Sequence, residues 1–246
     1  MKDEALQLFN AYRFDEAIVA YEKQLSAGIG DRWANMGGLG SALMAAGRYV
    51  EAIPYLFEVG EHEKAPLPGS YAYDIEISVC QWLSGQRNEG MALMRSLVTG
   101  IQDGSLTYAN DMVGGLNQGL LLHYMAATVD AAADRQLSLA YIKKLAQSKK
   151  AKHWPGPVGR FLIGEMSFDE ALTAGVGVAN LAQAQEVAAG DLLKRRRLTN
   201  LLFNAGVARR VAEDEPGCLE YMRMCASLQN PLIEFDWHLA RAEAGR

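Results

Sequence analysis

The chain has 246 residues, half of them apolar and 22% charged, which is enough apolar content to bury a core and excludes a disordered protein. Its formal net charge of −5 argues against a general nucleic-acid binder, so nucleic acid is not an expected partner. No run of about eighteen apolar residues occurs, so no membrane partner is expected, and three cysteines in a chain of this length do not make a disulfide scaffold.

The first elements are read from helical periodicity. Phe14, Ala17, Ile18, Tyr21 and Leu25 form one apolar stripe, and Tyr49, Ala52, Ile53, Leu56 and Phe57 form another. Ala17-x3-Tyr21 recurs 35 residues later as Ala52-x3-Leu56, and Gly90-x3-Met94 follows after a further 38. A turn residue stands five places ahead of each: Tyr12, Gly47 and Gly85. Gly40 and Ala52 are read as the small residues at a close helix crossing, a need that outweighs the roughly 1 kcal/mol propensity cost of Gly. Pro54 requires its helix to begin at Tyr49 or Val50.

Further along, 106–128 and 134–148 read as a fourth pair, with Gly114, Gly115 and Gly119 at close-packing positions. Residues 149–155 form a lysine-rich connector ending at Trp154-Pro155. A short pair spans 158–164 and 168–174, and Ser167 to Leu172 echoes Arg13 to Ile18. Leu198, Leu201, Leu202 and Ala205 mark a helix over 192–213, paired with one over 216–228, and 231–244 reads as a terminal capping helix. No sustained alternation supports strands. The fold class is therefore all-α, with about five to six antiparallel helix pairs. They are expected to make one domain over 1–246, regular through residue 100 and irregular from 101.

The stretch Met36-x2-Leu39-Gly40-x2-Leu43, followed by Gly47, Tyr49, Ala52 and Leu56, resembles the tetratricopeptide-repeat family in its bacterial stand-alone form. The usual Trp slot holds Met36, with Trp33 one turn earlier. The resemblance implies an α-solenoid that binds a protein or peptide partner, in the manner of adaptors, secretion chaperones and immunity proteins. Because helix A of each pair lines the concave side in that family, it also implies Asn10, Met44, Trp82, His123 and Tyr124 as groove residues. Members that grip a C-terminal carboxylate use Lys, Arg and Asn on helix A, where this chain is mostly small and apolar.

Charge marks a second candidate. Residues 1–134 carry 17 acids against 8 bases, and residues 135–246 carry 12 against 16. Residues 135–164 hold seven Lys or Arg and no acid. Within them Lys143, Lys144, Lys149, Lys150, Lys152 and Arg160 lie near Trp154, which reads either as a docking patch for an acidic protein surface or as a solvated helix end. Lys194, Arg195, Arg196 and Arg197 occupy nearly a full helical turn and cannot all face one partner.

Catalytic spacings are missing: there is no G-x-x-x-x-G-K-[ST], H-E-x-x-H, G-x-S-x-G or C-x-x-C. Gly37-Gly38-Leu39-Gly40 has no Lys-Ser/Thr after it and lies within a helical pattern. None of His62, His123, His153 and His238 is at i, i+3 or i+4 from another, and Cys218 and Cys225 read as apolar core beside Leu219 and Met222. No enzyme, cofactor or metal site is expected, and with no basic-then-apolar segment at the start of the sequence the cytoplasm is the expected default location. The alternative is a regulator that responds to a peptide or small ligand. An enzyme on a helical scaffold would need a deep pocket with convergent ionisable groups.

Overall fold

The computed structural model describes residues 3–66, 71, 73–106 and 111–245. It is all-helical, with no strand among the described residues, and its helices pack in neighbouring pairs. By its internal contacts the chain divides into two compact units, Met1–Leu93 and Met94–Arg246.

The first unit contains α1 (Glu4–Asn10), α2 (Phe14–Ala27), α3 (Arg32–Ala45), α4 (Tyr49–Lys64), α5 (Asp74–Leu83) and the start of α6 (Arg87–Asp103). Asp3 starts α1 by accepting from the amides of Ala5 and Leu6, and Asp31 starts α3 by accepting from Ala34 at 2.7 Å. The three residues expected at turns, Tyr12, Gly47 and Gly85, have φ of 63°, 81° and 93°. This left-handed backbone reverses the chain between helices, and glycine adopts it without steric penalty. Ala17 and Ala52 are fully buried, and Tyr21 and Leu56 are buried with them; Met94, the third position of the series, is fully buried in the second unit. A Cβ on Gly40 would lie 2.6 Å from the Leu56 side chain, so α3 and α4 approach as closely as the small residues predict. α4 begins at Tyr49, which keeps Pro54 within its first two turns.

The second unit holds the rest of α6, then α7 (Leu116–Thr128), α8 (Ala132–Ala146), a 3-10 turn over Lys149–Lys152, α9 (Gly156–Leu162) and α10 (Phe168–Val176). It continues through α11 (Leu181–Gly190), α12 (Leu192–Val211), α13 (Glu215–Ser227) and α14 (Phe235–Ala244). The echo at Ser167 marks a real helix start. Ser167 accepts from the Glu170 amide, and the Glu170 carboxylate accepts from the Ser167 amide at 2.7 Å, a reciprocal cap.

Four features of this unit differ from the sequence reading. Gly114 and Gly115 are not inside a helix: their φ values are 96° and 97°, in a turn that precedes α7. One carboxylate organises that turn, since Asp111 accepts from the amides of Val113, Gly114, Gly115 and Asn117. Residues 107–110 of the expected helix lie outside the described residues. α11 was not anticipated. α14 starts at Phe235, because Leu232 and Ile233 have positive φ and interrupt any helix from Pro231. Finally, α12 does more than pair with α13: it packs against α7, α9, α10, α11, α13 and α14. Its middle is buried on every side, from Leu198 through Val207, which a helix facing one neighbour does not need.

Candidate functional site

The lysine-rich connector becomes an exposed basic ridge. Lys143 and Lys144 end α8 with their side chains in solvent, and Lys149, Lys150 and Lys152 are exposed on the 3-10 turn. Only Ala151 of that turn is buried, and it anchors the turn to the core. None of these five lysines enters an ion pair among the described residues. The flanking acids in sequence are engaged elsewhere: Asp134 pairs with Arg95, and Glu165 accepts from Gln147 at 2.8 Å.

Close packing beneath the ridge holds it in place. A Cβ on Gly156 would fall 1.9 Å from the Ala151 carbonyl oxygen, so the first residue of α9 presses directly on the turn backbone. The Gly156 amide donates to the His153 carbonyl at 2.7 Å, across a segment whose Trp154-Pro155 peptide is cis. Trp154 is half-buried: its ring covers Gly175 of α10, and the Arg197 guanidinium lies 5.9 Å from its centroid. Trp154 therefore supports the ridge and does not project from it. Arg160 is also half-buried, with its Nε donating to the Ala146 carbonyl at 3.4 Å.

Of the residues expected along a concave groove, only Asn10 is exposed, at the end of α1. Met44, Trp82, His123 and Tyr124 are core residues, 4%, 3%, 4% and 1% exposed. Trp82 has the Arg87 guanidinium 5.3 Å from its ring centroid. His123 Nδ1 lies 3.1 Å from Ser138 Oγ on α8, and burial pushes its pKa down to about 4, with the Arg135 charge acting the same way. Tyr124 packs its ring 4.8 Å from Phe203 and donates its hydroxyl to Glu243. Each side chain is consumed by packing within its own unit, so none presents a surface to a partner.

A different feature escaped the sequence reading. In the first unit, α1, α2 and the start of α3 enclose an open groove of about 930 Å³. Leu8, Val19 and Ile29 supply its apolar floor, with Val19 63% and Ile29 52% exposed. The only available signal was on α2, where Asp15, Val19 and Lys23 form a stripe opposite the buried Ala17, Ile18 and Tyr21.

Among the described residues, no group of three or more His, Cys, Asp or Glu is placed to hold a metal ion, and no helix is long and apolar enough to cross a membrane. Compared with protein-family models, curated proteins and solved structures, the chain matches none.

Proposed function

We propose that this chain is a non-catalytic interaction protein, built on tetratricopeptide-like helix pairs, whose basic ridge docks the acidic surface of a protein partner. The observation that carries the reading is the ridge itself: five exposed lysines without an ion pair among the described residues, two at the end of α8 and three on a turn pinned by Gly156 and Trp154. Such unneutralised charge steers association and sets register, while its own fold gains little from it. The specific form that fits best is a cytoplasmic immunity or adaptor protein that binds and neutralises or escorts its partner. Three free, buried cysteines suit a reducing compartment.

Lysine-directed crosslinking of the full chain in cells, read by mass spectrometry, tests this. Crosslinks from Lys149, Lys150 and Lys152 to one acidic protein are expected, and that protein should be lost from the Lys149→Glu/Lys150→Glu/Lys152→Glu variant. A partner that the variant retains at undiminished affinity would sink the reading. A second reading, a regulator that responds to a peptide or small ligand, is favoured by the groove on the first unit.

A further inference from the structure

The groove of the first unit has a composition that selects its occupant. Among the described residues, five carboxylates line it, Asp3, Glu4, Asp15, Glu16 and Asp31, against one base, Lys23. Their roles differ. Asp3 and Asp31 cap helices, and Glu16 is paired with Arg13. Glu4 and Asp15 are exposed and enter no ion pair among the described residues. Between these acids lie the apolar Leu8, Val19 and Ile29, two of them more than half exposed. Solvent-exposed apolar surface of this kind, rimmed by polar residues, marks a docking site.

Polar side chains on the wall add directionality. Asn35 is 6% exposed and lines the groove. Its Nδ2 donates to the Ile29 carbonyl at 2.7 Å, while no donor among the described residues meets its Oδ1. Gln24 likewise donates to Asp3 at 3.1 Å and leaves its Oε1 without a donor among the described residues. A bound backbone or side-chain N–H satisfies such acceptors.

From this geometry we infer that the groove binds a cationic amphipathic peptide segment, seating its apolar side chains on Leu8, Val19 and Ile29 and its Lys or Arg side chains on Glu4 and Asp15. The inference rests on the peptide-binding reading and is independent of the basic ridge. It requires both halves of the chemistry. Charge alone would equally accept any polycation, and an apolar floor alone would accept an acidic peptide, which the rim repels.

Fluorescence anisotropy of the full chain tests it with three labelled probes: an amphipathic leucine–lysine peptide, a scrambled isomer without an apolar face, and oligolysine. The amphipathic peptide is expected to bind at least about tenfold tighter than the other two, and to weaken between roughly 0.05 and 0.3 M salt as the Debye length shortens. Asp15→Lys and Val19→Asp alter exposed positions and leave the fold intact, so each should weaken binding about tenfold, while Lys149→Glu leaves it unchanged. Equal affinity for oligolysine overturns the inference, as does undiminished binding by both groove variants or no binding at all. Sedimentation of the chain alone covers the remaining occupant: self-association abolished by Asp15→Lys would assign the groove to a second copy instead. Failure here with the ridge crosslinks intact removes the groove site alone.

Discussion

The Tyr124 hydroxyl on α7 donates to Glu243 Oε1 on α14 at 2.7 Å, joining helices 119 residues apart in the chain. The other Glu243 oxygen accepts from Arg210 Nη2 on α12 at 3.0 Å, and Arg210 also reaches Thr128 and Glu215. Glu243 is 1% exposed, so its carboxylate is tolerated only because donors meet both oxygens. Removing it with Glu243→Ala leaves Arg210 partly uncompensated and should cost on the order of 3 kcal/mol. Tyr124→Phe should cost about 1–3 kcal/mol, the worth of a hydrogen bond to a charged group. Denaturant unfolding of each variant and of the pair yields their coupling. Strict additivity would show that the two groups act separately.

Gly156 gives a sharper test of what holds the ridge. Its near neighbour is the Ala151 carbonyl, a backbone group that cannot rotate away as a side chain would. Gly156→Ala should therefore cost about 2 kcal/mol or more through overpacking, and should displace the 3-10 turn that carries Lys149, Lys150 and Lys152. Gly190, at the end of α11, is the contrasting case, since a Cβ there would meet nothing within 4 Å. Gly190→Ala should be neutral or stabilising by roughly 0.5 kcal/mol. Thermal unfolding of the two variants, which differ in the same single methyl group, separates packing from propensity.

His123 sets an acid limit on the second unit. Burial holds its pKa down to about 4 in the folded chain, against 6.5 for the free side chain. The unfolded chain thus binds the proton more readily, so the stabilisation is complete above about pH 6.5 and is lost as the pH falls from there towards 4. Full loss is on the order of 3 kcal/mol by linkage. His123→Asn keeps a polar atom near Ser138 and removes the titration. The difference in unfolding free energy between variant and wild type should therefore narrow from pH 7 to pH 4.5. A pH-independent difference would place the proton uptake elsewhere.

The regular part of the fold was legible because its signals are local. Tyr12, Gly47 and Gly85 announce left-handed turns at repeat spacing, and Gly40 opposite Leu56 announces a close crossing. The same reasoning failed on the local structure at Gly114 and Gly115, which serve a turn held by Asp111; close packing holds at Gly115, where a Cβ would lie 2.9 Å from the Ile101 and Tyr141 side chains, and not at Gly114, where it would meet nothing within 4 Å. α11, with its Ala-rich sequence, offers only Ala184 and Ala188 to the core, too weak a stripe to stand out. Exposure of the ridge lysines followed from seven bases without an acid. Periodicity could not separate groove from core on α7, where Leu120, Leu121, Leu122, Tyr124 and Met125 are all buried and apolar residues surround the axis. The acidic groove was invisible because three elements contribute to it and none shows it alone.

The last prediction concerns Lys194, Arg195, Arg196 and Arg197, a uniformly basic turn whose members have separate structural duties. Arg195 is 6% exposed and donates to the Ala188 and Ala189 carbonyls at the end of α11 and to Gln229 at 2.6 Å. Arg196 reaches the Pro231 carbonyl at 3.0 Å and the Glu234 carboxylate at 3.6 Å, and Arg197 reaches the Gly175 carbonyl at 3.2 Å. The planar guanidinium of Arg195 spans carbonyls and a carboxamide that a single ammonium cannot reach together. Arg195→Lys, which keeps the charge, should therefore cost about 2 kcal/mol as buried acceptors lose their donors. Lys194→Ala, at a position making no ion pair among the described residues, should stay within about 0.5 kcal/mol of wild type. Hydrogen exchange along 181–190 gives a second readout, since losing the Arg195 bonds should speed exchange at the end of α11 while Lys194→Ala leaves it unchanged. Equal stabilities for the two variants would mean that the basic turn acts through its charge and not through the hydrogen bonds of Arg195.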